Sequence, residues 1–334
     1  MFDKGWRARA ALVLALTAVL SLKHGMAQAS YPEKPVTLVV PFSAGGSTDL
    51  AARAIADAIA THLGQSVVVV NKPGASGAVA VKGLIDSPPD GYTLLMASIG
   101  PNAILPAVSA TLPFQYDNMT PVARTQVVPT VLVVRKDAPW KSVQEIFKTA
   151  REKPGTLRAS TAGIGTLHDL GVQILVKMTG APPRSIITIP YKGGAEAETA
   201  LVGGHVDLTF TNLIAVIGHI KNGTVKALAV VPPTPGRRIS ELPEIPTFAE
   251  AGLAGMDIIG WKGVIGPPKL SAAVVAKWEA ALQKVIADPA WKAKIEKLGD
   301  APAYQSGKEF GDFIRREYGR YSAIAKELNI VVGK

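Results

Sequence analysis

The chain has 334 residues, of which 48% are apolar and 19% charged, with a formal net charge of +10. This length suits about two domains, and the balance excludes a disordered or coiled-coil chain, since both need far more charge. Cysteine is absent, which excludes disulfides, thiolate nucleophiles, Cys-ligated zinc, iron–sulfur clusters and a cysteine-borne lipid anchor.

Residues 1–29 carry Lys4, Arg7, Arg9 and Lys23 against Asp3, with an uncharged apolar run from Ala10 to Leu22 and Ala27-Gln28-Ala29 at the end. This order is that of a secretory signal peptide, and cleavage is expected after Ala29. The apolar run falls short of the roughly 20 residues that span a bilayer. The mature chain is then exported, to the periplasm in a cell with two membranes, with a net charge of about +7. Such a charge suits nucleic acid, an anionic membrane surface, an anionic ligand or merely a solvated surface.

From residue 30 the pattern alternates between β-branched apolar runs and helical periodicity. Val36–Pro41 is a buried strand and 50–63 a helix that Gly64 ends. Val67–Val70 is a strand, 76–87 a helix and Tyr92–Ala97 a strand. Residues 122–134 form an extended path broken by Pro129, as expected of a crossing between domains. The alternation restarts with helices at Val143–Glu152, Leu167–Thr179, Ala195–Val202 and Leu213–Asn222. Between and after them lie strands at Leu157–Ser160, Ile186–Ile189, Val206–Phe210 and Val225–Val230. Pro232–Pro246 is an irregular return crossing. Helices at 272–287, 288–298 and 307–328 close the chain, with Ser271 as a cap and Ser306/Glu309 as a capping box. Strands alternating with helices imply an α/β fold of mostly parallel sheets with helices on both faces.

Two loops stand out. PFSAGGSTD at 41–49 leaves a strand and opens a helix, and its glycines let backbone N–H groups approach a ligand. A helix start favours an anion through unpaired N–H groups and the positive dipole end. It lacks the Gly-Lys-Ser/Thr of a phosphate loop and the G-x-G-x-x-G of a dinucleotide site. Asp49 suits either a cap or a ligand contact, and the loop itself either a tight structural turn or an anion site. STAGIGTLHDLG at 160–171 has the same placement in the second half, with Thr161, Thr166 and His168 as polar groups. Two such loops at strand carboxyl ends suggest a cleft that grips a ligand from both sides.

Other chemistries are weakly supported. Gly74-Ala75-Ser76-Gly77-Ala78 misses the last glycine of a nucleophile elbow. The five histidines form no H-x-x-x-H pair, so neither a metal nor a cofactor is expected. Basic residues are scattered without an aromatic RNA-binding motif, which argues against nucleic acid. Trp261 is expected to serve packing or a hinge.

The mature chain resembles the periplasmic solute-binding receptors of the tripartite tricarboxylate transporters, the Bug family. The match is carried by PFSAGGSTDLAAR (41–53), NKPGA (71–75), PDGYTLL (89–95), GIGTLHDL (163–170), PYKGG (190–194), LVGGHVDL (201–208), LPEIPTFAEAGLAG (242–255) and Trp261–Pro268. It implies a two-lobed Venus-flytrap fold of the type II binding-protein arrangement. Lobe 1 would comprise 30–128 with 243–334, and lobe 2 would comprise 129–242. It implies a monomer that is not an enzyme, binds a small carboxylate and delivers it to the membrane permease subunits of such a transporter. A sensor of the same fold, docking on a signalling receptor, and an exported α/β hydrolase are the alternatives. Ligand contacts would map to Phe42, Ser43, Ala44, Gly45, Gly46, Thr48 and Asp49 in the first loop. In the second they would map to Ser160, Thr161, Gly163, Gly165, Thr166 and His168, with Asn212, Ser98 and Asn102 at other strand ends. The family often carries Gly at Ser76 and Ala80, and Ser at Thr166, where the extra methyl crowds a bulky ligand.

Overall fold

The structure is a computed structural model that describes residues 31–332. The expected signal peptide lies outside the described residues. The strands are β1 Val36–Val40, β2 Val67–Asn71, β3 Thr93–Ser98, β4 Thr120–Val128, β5 Thr130–Arg135, β6 Leu157–Thr161, β7 Ile186–Pro190, β8 Leu208–Asn212, β9 Val225–Val231, β10 Gly260–Gly266 and β11 Ala301–Ser306. They form a six-stranded sheet, β11-β4-β10-β3-β1-β2, and a five-stranded sheet, β7-β6-β8-β5-β9.

Each sheet anchors one lobe, and each is mixed rather than mostly parallel. β2, β1 and β3 run parallel, as do β7, β6 and β8. Helical crossovers between successive strands account for that part. The strands next to the passages between lobes, β4, β5, β9 and β10, pair antiparallel. Pro129 alone separates β4 from β5. Proline has no N–H to donate, so the ladder breaks there. Its carbonyl accepts the N–H of Leu213 at 2.8 Å, and Thr130 Oγ1 donates to the Ile258 carbonyl at 2.6 Å, which ties the outward and return passages together.

The helices are α1 Ser47–Leu63, α2 Ala78–Ile85, α3 Leu105–Val108, α4 Val143–Glu152, α5 Leu167–Met178, α6 Gly194–Val202, α7 Leu213–Lys221, α8 Ala272–Ala287, α9 Pro289–Lys297 and α10 Gly307–Leu328. The C-terminal signals take the roles that the sequence suggests: Ser271 accepts from Val274 N–H, and Ser306 with Glu309 completes a capping box. Four features carry no strong sequence signal. β10 reads GWKGVIG and β11 reads APAYQS, both poor in alternation. The 76–87 helix starts later, behind a 3₁₀ turn at Ala75–Gly77 in which Ser76 adopts φ 55. A π-helical turn at Gly100–Ile104 also intervenes before α3.

α1, α8 and α9 cover one face of the first sheet around Leu38, Ile55, Ile59, Trp278 and Trp291. A second apolar cluster runs without a break from Leu95, Trp261 and Phe310 of the first lobe to Phe147, Leu170 and Phe210 of the second. Trp261 meets the rings of Phe310 and Phe313 edge-on, at centroid distances of 5.4 and 5.7 Å, so it is core. Among the described residues no helix is long and apolar enough to cross a membrane.

β10 tolerates no added side chain at Gly263. A Cβ there would lie 2.5 Å from the Phe310 ring and 2.6 Å from the Ala123 carbonyl oxygen. The Gly263→Ala variant is therefore expected to lose about 1–3 kcal/mol of stability by overpacking, read from the midpoint of urea unfolding; an unchanged midpoint would contradict this packing.

Candidate ligand cleft

Four helices point their N-termini at one narrow cavity between the lobes. α1 opens at Gly46–Thr48, α5 at Thr166–His168, α6 at Gly194 and α7 at Asn212, and all four positions line the cavity. None of the four N-cap residues forms a side-chain cap hydrogen bond. The positive dipole ends and the first N–H groups of these helices therefore favour an anion. The cavity is small, about 30 Å³.

Both glycine loops are held by a carboxylate one turn downstream. Gly45, at φ +84, donates its N–H to Asp49 Oδ2 at 2.9 Å. Gly165, at φ +71, donates to Asp169 Oδ2 at 3.0 Å. An L side chain is strained at such φ values, which is why glycine suits both corners. Asp49 also accepts from Arg53 Nε at 2.9 Å and Asn71 Nδ2 at 2.9 Å. Burial pushes its carboxyl up, but the bonds from Arg53, Gly45 and Asn71 outweigh that and hold it below its ordinary value. Asp49 is thus spent on the loop and does not line the cavity. Gly45 and Gly165 N–H groups are likewise engaged.

Of the residues singled out in the sequence, Phe42, Gly46, Thr48, Ser98, Thr166, His168 and Asn212 line the cavity. Ser43 instead packs beneath Gly193 of the opposite lobe, and Ala44 is exposed. Asn102 is turned into its own strand end, where Oδ1 accepts Ser98 N–H at 3.1 Å. Ser160 and Thr161 are buried in β6, and Thr161 Oγ1 bonds within the loop to Gly163. Gly163 abuts Ser76 across the cleft, and Ser76 Oγ donates to the Ile164 carbonyl at 2.8 Å. That hydroxyl bridges the lobes, and among the described residues its hydrogen bond goes to a backbone carbonyl.

The cavity also has polar walls that sequence reading did not single out. Ser47, Glu198 and Lys262 line it. Lys262 sits on β10 opposite Ser98 of β3 and Gln126 of β4, so the three share a face. Its Nζ donates to Thr48 Oγ1 at 2.8 Å. Burial pushes the Lys262 ammonium down and the nearby Asp300 carboxyl up, and the charge of each opposes the shift of the other. On the opposite wall Glu198 Oε1 lies 2.8 Å from Thr211 Oγ1, which lies 3.0 Å from His168 Nε2. Burial pushes Glu198 up to about 8, against the hydrogen bond from Thr211. Burial, then the charge of Lys262, pushes His168 down to about 3. Four buried polar atoms on the cavity wall have no partner: Ser47 Oγ, Ser98 Oγ, His168 Nδ1 and Asn212 Oδ1. Unpaired buried polar groups are costly, and these four converge on one cavity. Among the described residues no group of three His, Asp or Glu could hold a metal.

The sequence signal for these extra residues was thin. Lys262 follows Trp261 in a stretch read for packing, and Glu198 sits in an ordinary helical pattern. Gly194 falls inside the PYKGG segment that carries the family resemblance.

Comparison with known proteins agrees with this architecture. A sequence model described as "Tripartite tricarboxylate transporter family receptor" matches residues 51–330. A UPF0065 protein of Bordetella pertussis is 32% identical over 317 residues, covering 95% of this chain and 96% of that one. Among solved structures, Rpa4515 of R. palustris with adipate is 31% identical at a TM-score of 0.85, covering 90% of this chain and 99% of that one. MatC of Rhodopseudomonas palustris with bound malate is 28% identical at a TM-score of 0.82, covering 88% and 99%. With the family model spanning both lobes and relatives, BugD among them, aligned along almost their whole lengths, this chain belongs to the tripartite tricarboxylate transporter receptor family, the Bug proteins.

Proposed function

We propose that the protein is an exported receptor that captures a small carboxylate between its two lobes and delivers it to the membrane subunits of a tripartite tricarboxylate-type transporter. The observation that carries this is the convergence of four helix N-termini, one ammonium and four unpartnered polar atoms on a single interlobe cavity. Related structures hold adipate and malate, which are small carboxylates. The reading is one of binding without turnover in the periplasm. The lobes, taken as 30–128 with 243–334 and as 129–242, close over the ligand, and the closed form is the one a permease recognises. Phe42, Gly46, Thr48 and Ser98 from one side and Thr166, His168 and Asn212 from the other are the proposed contacts. The remaining loop residues shape the corners that present them.

The direct test is a melting-temperature screen of the exported protein against small mono-, di- and tricarboxylates. At ligand concentrations about 100 times Kd, stabilisation of about 2.7 kcal/mol is expected. No shift with any acid would sink the proposal.

Closure has its own test. Gly193 is extended, at φ −176, so any residue suits its backbone. A Cβ on it would lie 2.3 Å from Ser43 Oγ and 3.0 Å from Ser43 N across the cleft. Gly193→Val should fold and melt normally without ligand, yet bind about tenfold or more weaker and show no ligand-induced contraction in small-angle scattering. Wild-type affinity in this variant would show that the approach of Ser43 to Gly193 is not needed for binding.

A further inference from the structure

Resting on the receptor reading above, we infer that Ser76 is a positioning residue for ligand capture. Its hydroxyl latches the second glycine corner to the first lobe, and so sets how long a ligand is held without touching it.

The turn that carries Ser76 is costly to build. Ala75 and Ser76 take φ +44 and +55 in succession, between Gly74 at +145 and Gly77 at +95. Residues with a side chain rarely adopt such angles, and a pair of them in sequence persists only where the surroundings hold it. Here the first lobe holds it. The Gly77 N–H donates to the Gly74 carbonyl at 2.9 Å. Gly77 is buried so closely against Pro41 and Pro101 that a Cβ on it would lie 3.2 and 2.9 Å from their side chains. Pro41 directly precedes Phe42, which lines the cleft. The turn is therefore braced on the segment that begins the first loop.

Backbone closes this turn, which leaves the Ser76 hydroxyl to serve elsewhere. It is spent across the lobes: Oγ donates to the Ile164 carbonyl at 2.8 Å, 88 residues away in the chain. Ile164 belongs to the corner that presents Thr166 and His168 to the cleft. Thr166 Oγ1 donates to the Gly163 carbonyl at 2.6 Å. Two successive carbonyls are thus tied, one to a residue of the cleft wall and the next to Ser76. The seam has no slack, because a Cβ on Gly163, itself at φ +121, would lie 2.5 Å from Ser76 Oγ. Separation of the lobes breaks the Ser76–Ile164 bond, whereas the strain of the turn remains, since its brace lies within the first lobe. The bond therefore favours the arrangement in which the lobes meet, and through that arrangement it raises affinity.

Two substitutions separate the hydroxyl from the strain. Ser76→Ala removes the hydroxyl and keeps a side chain at positive φ, whereas Ser76→Gly removes both. Without ligand, Ser76→Gly should melt above Ser76→Ala. Both should nevertheless bind malate or adipate, the acids held by two related structures, about three- to tenfold more weakly than wild type, as expected for one hydrogen bond. Stopped-flow kinetics should place that loss in the dissociation rate. A purely structural role would instead make affinity follow melting temperature. Wild-type affinity and dissociation in both variants, or in Ser76→Gly alone, would overturn the inference and leave the receptor reading intact. If wild type takes up neither acid, the latch is read without ligand. The absence of cysteine allows a spin-label pair through D57C/K148C, at exposed positions on α1 and α4. Ser76→Gly in that background should shift the distance distribution to longer values, and an identical distribution would overturn the inference. Failure of every acid in the screen above counts against the receptor reading and is a separate result.

Discussion

Backbone N–H groups at a helix start need acceptors, and this fold aims four such starts into one enclosed space. In water the need would be met by solvent. In the buried space between the lobes it must be met by the chain or by a ligand. The chain meets part of it: Asp49 and Asp169 turn back to take the N–H groups of Gly45 and Gly165. Those bonds leave the glycine corners rigid while the helix starts themselves stay uncapped by side chains. The loop geometry, the position of the cleft and the preference for an anion all follow from that division.

Charge in the cleft is arranged on the same principle. The net charge of the chain is spread over its surface and does not make the site. One ammonium, Lys262, is buried at the wall near the Asp300 carboxyl, and burial pushes the groups opposite, His168 down and Glu198 up, against their charged forms. A buried charge without a close partner is costly. Lys262 meets that cost in part by donating to Thr48.

The lobes are not independent bodies. A single apolar cluster runs through both, and the passages at Pro129 and before β10 are bonded to one another through Thr130 and Ile258. Ser76, held at φ 55, reaches across to Ile164, and Gly193 meets Ser43 with no room for a Cβ. These contacts join the two lobes beside the apolar cluster that they share.

Much of this was legible in the residues. Periodicity located nearly every helix and most strands, because apolar runs at spacing 2 or 3.6 report burial directly. Glycine at 45 and 165, beside a strand end and a helix start, marked the corners because few other residues tolerate positive φ. β10 and β11 escaped notice because glycine, lysine and proline interrupt their alternation, and they are strands only because β4 lies between them in the sheet. Asp49 could be read as a cap or as a ligand contact, since local sequence does not say which way a carboxylate turns. Lys262 and Glu198 lie far apart in the chain, on elements that look ordinary. The sequence by itself determined the elements, the two glycine corners and the family. Only the tertiary structure decided which polar atoms face one another across the cleft, because burial and partnership depend on neighbours that the chain order does not contain.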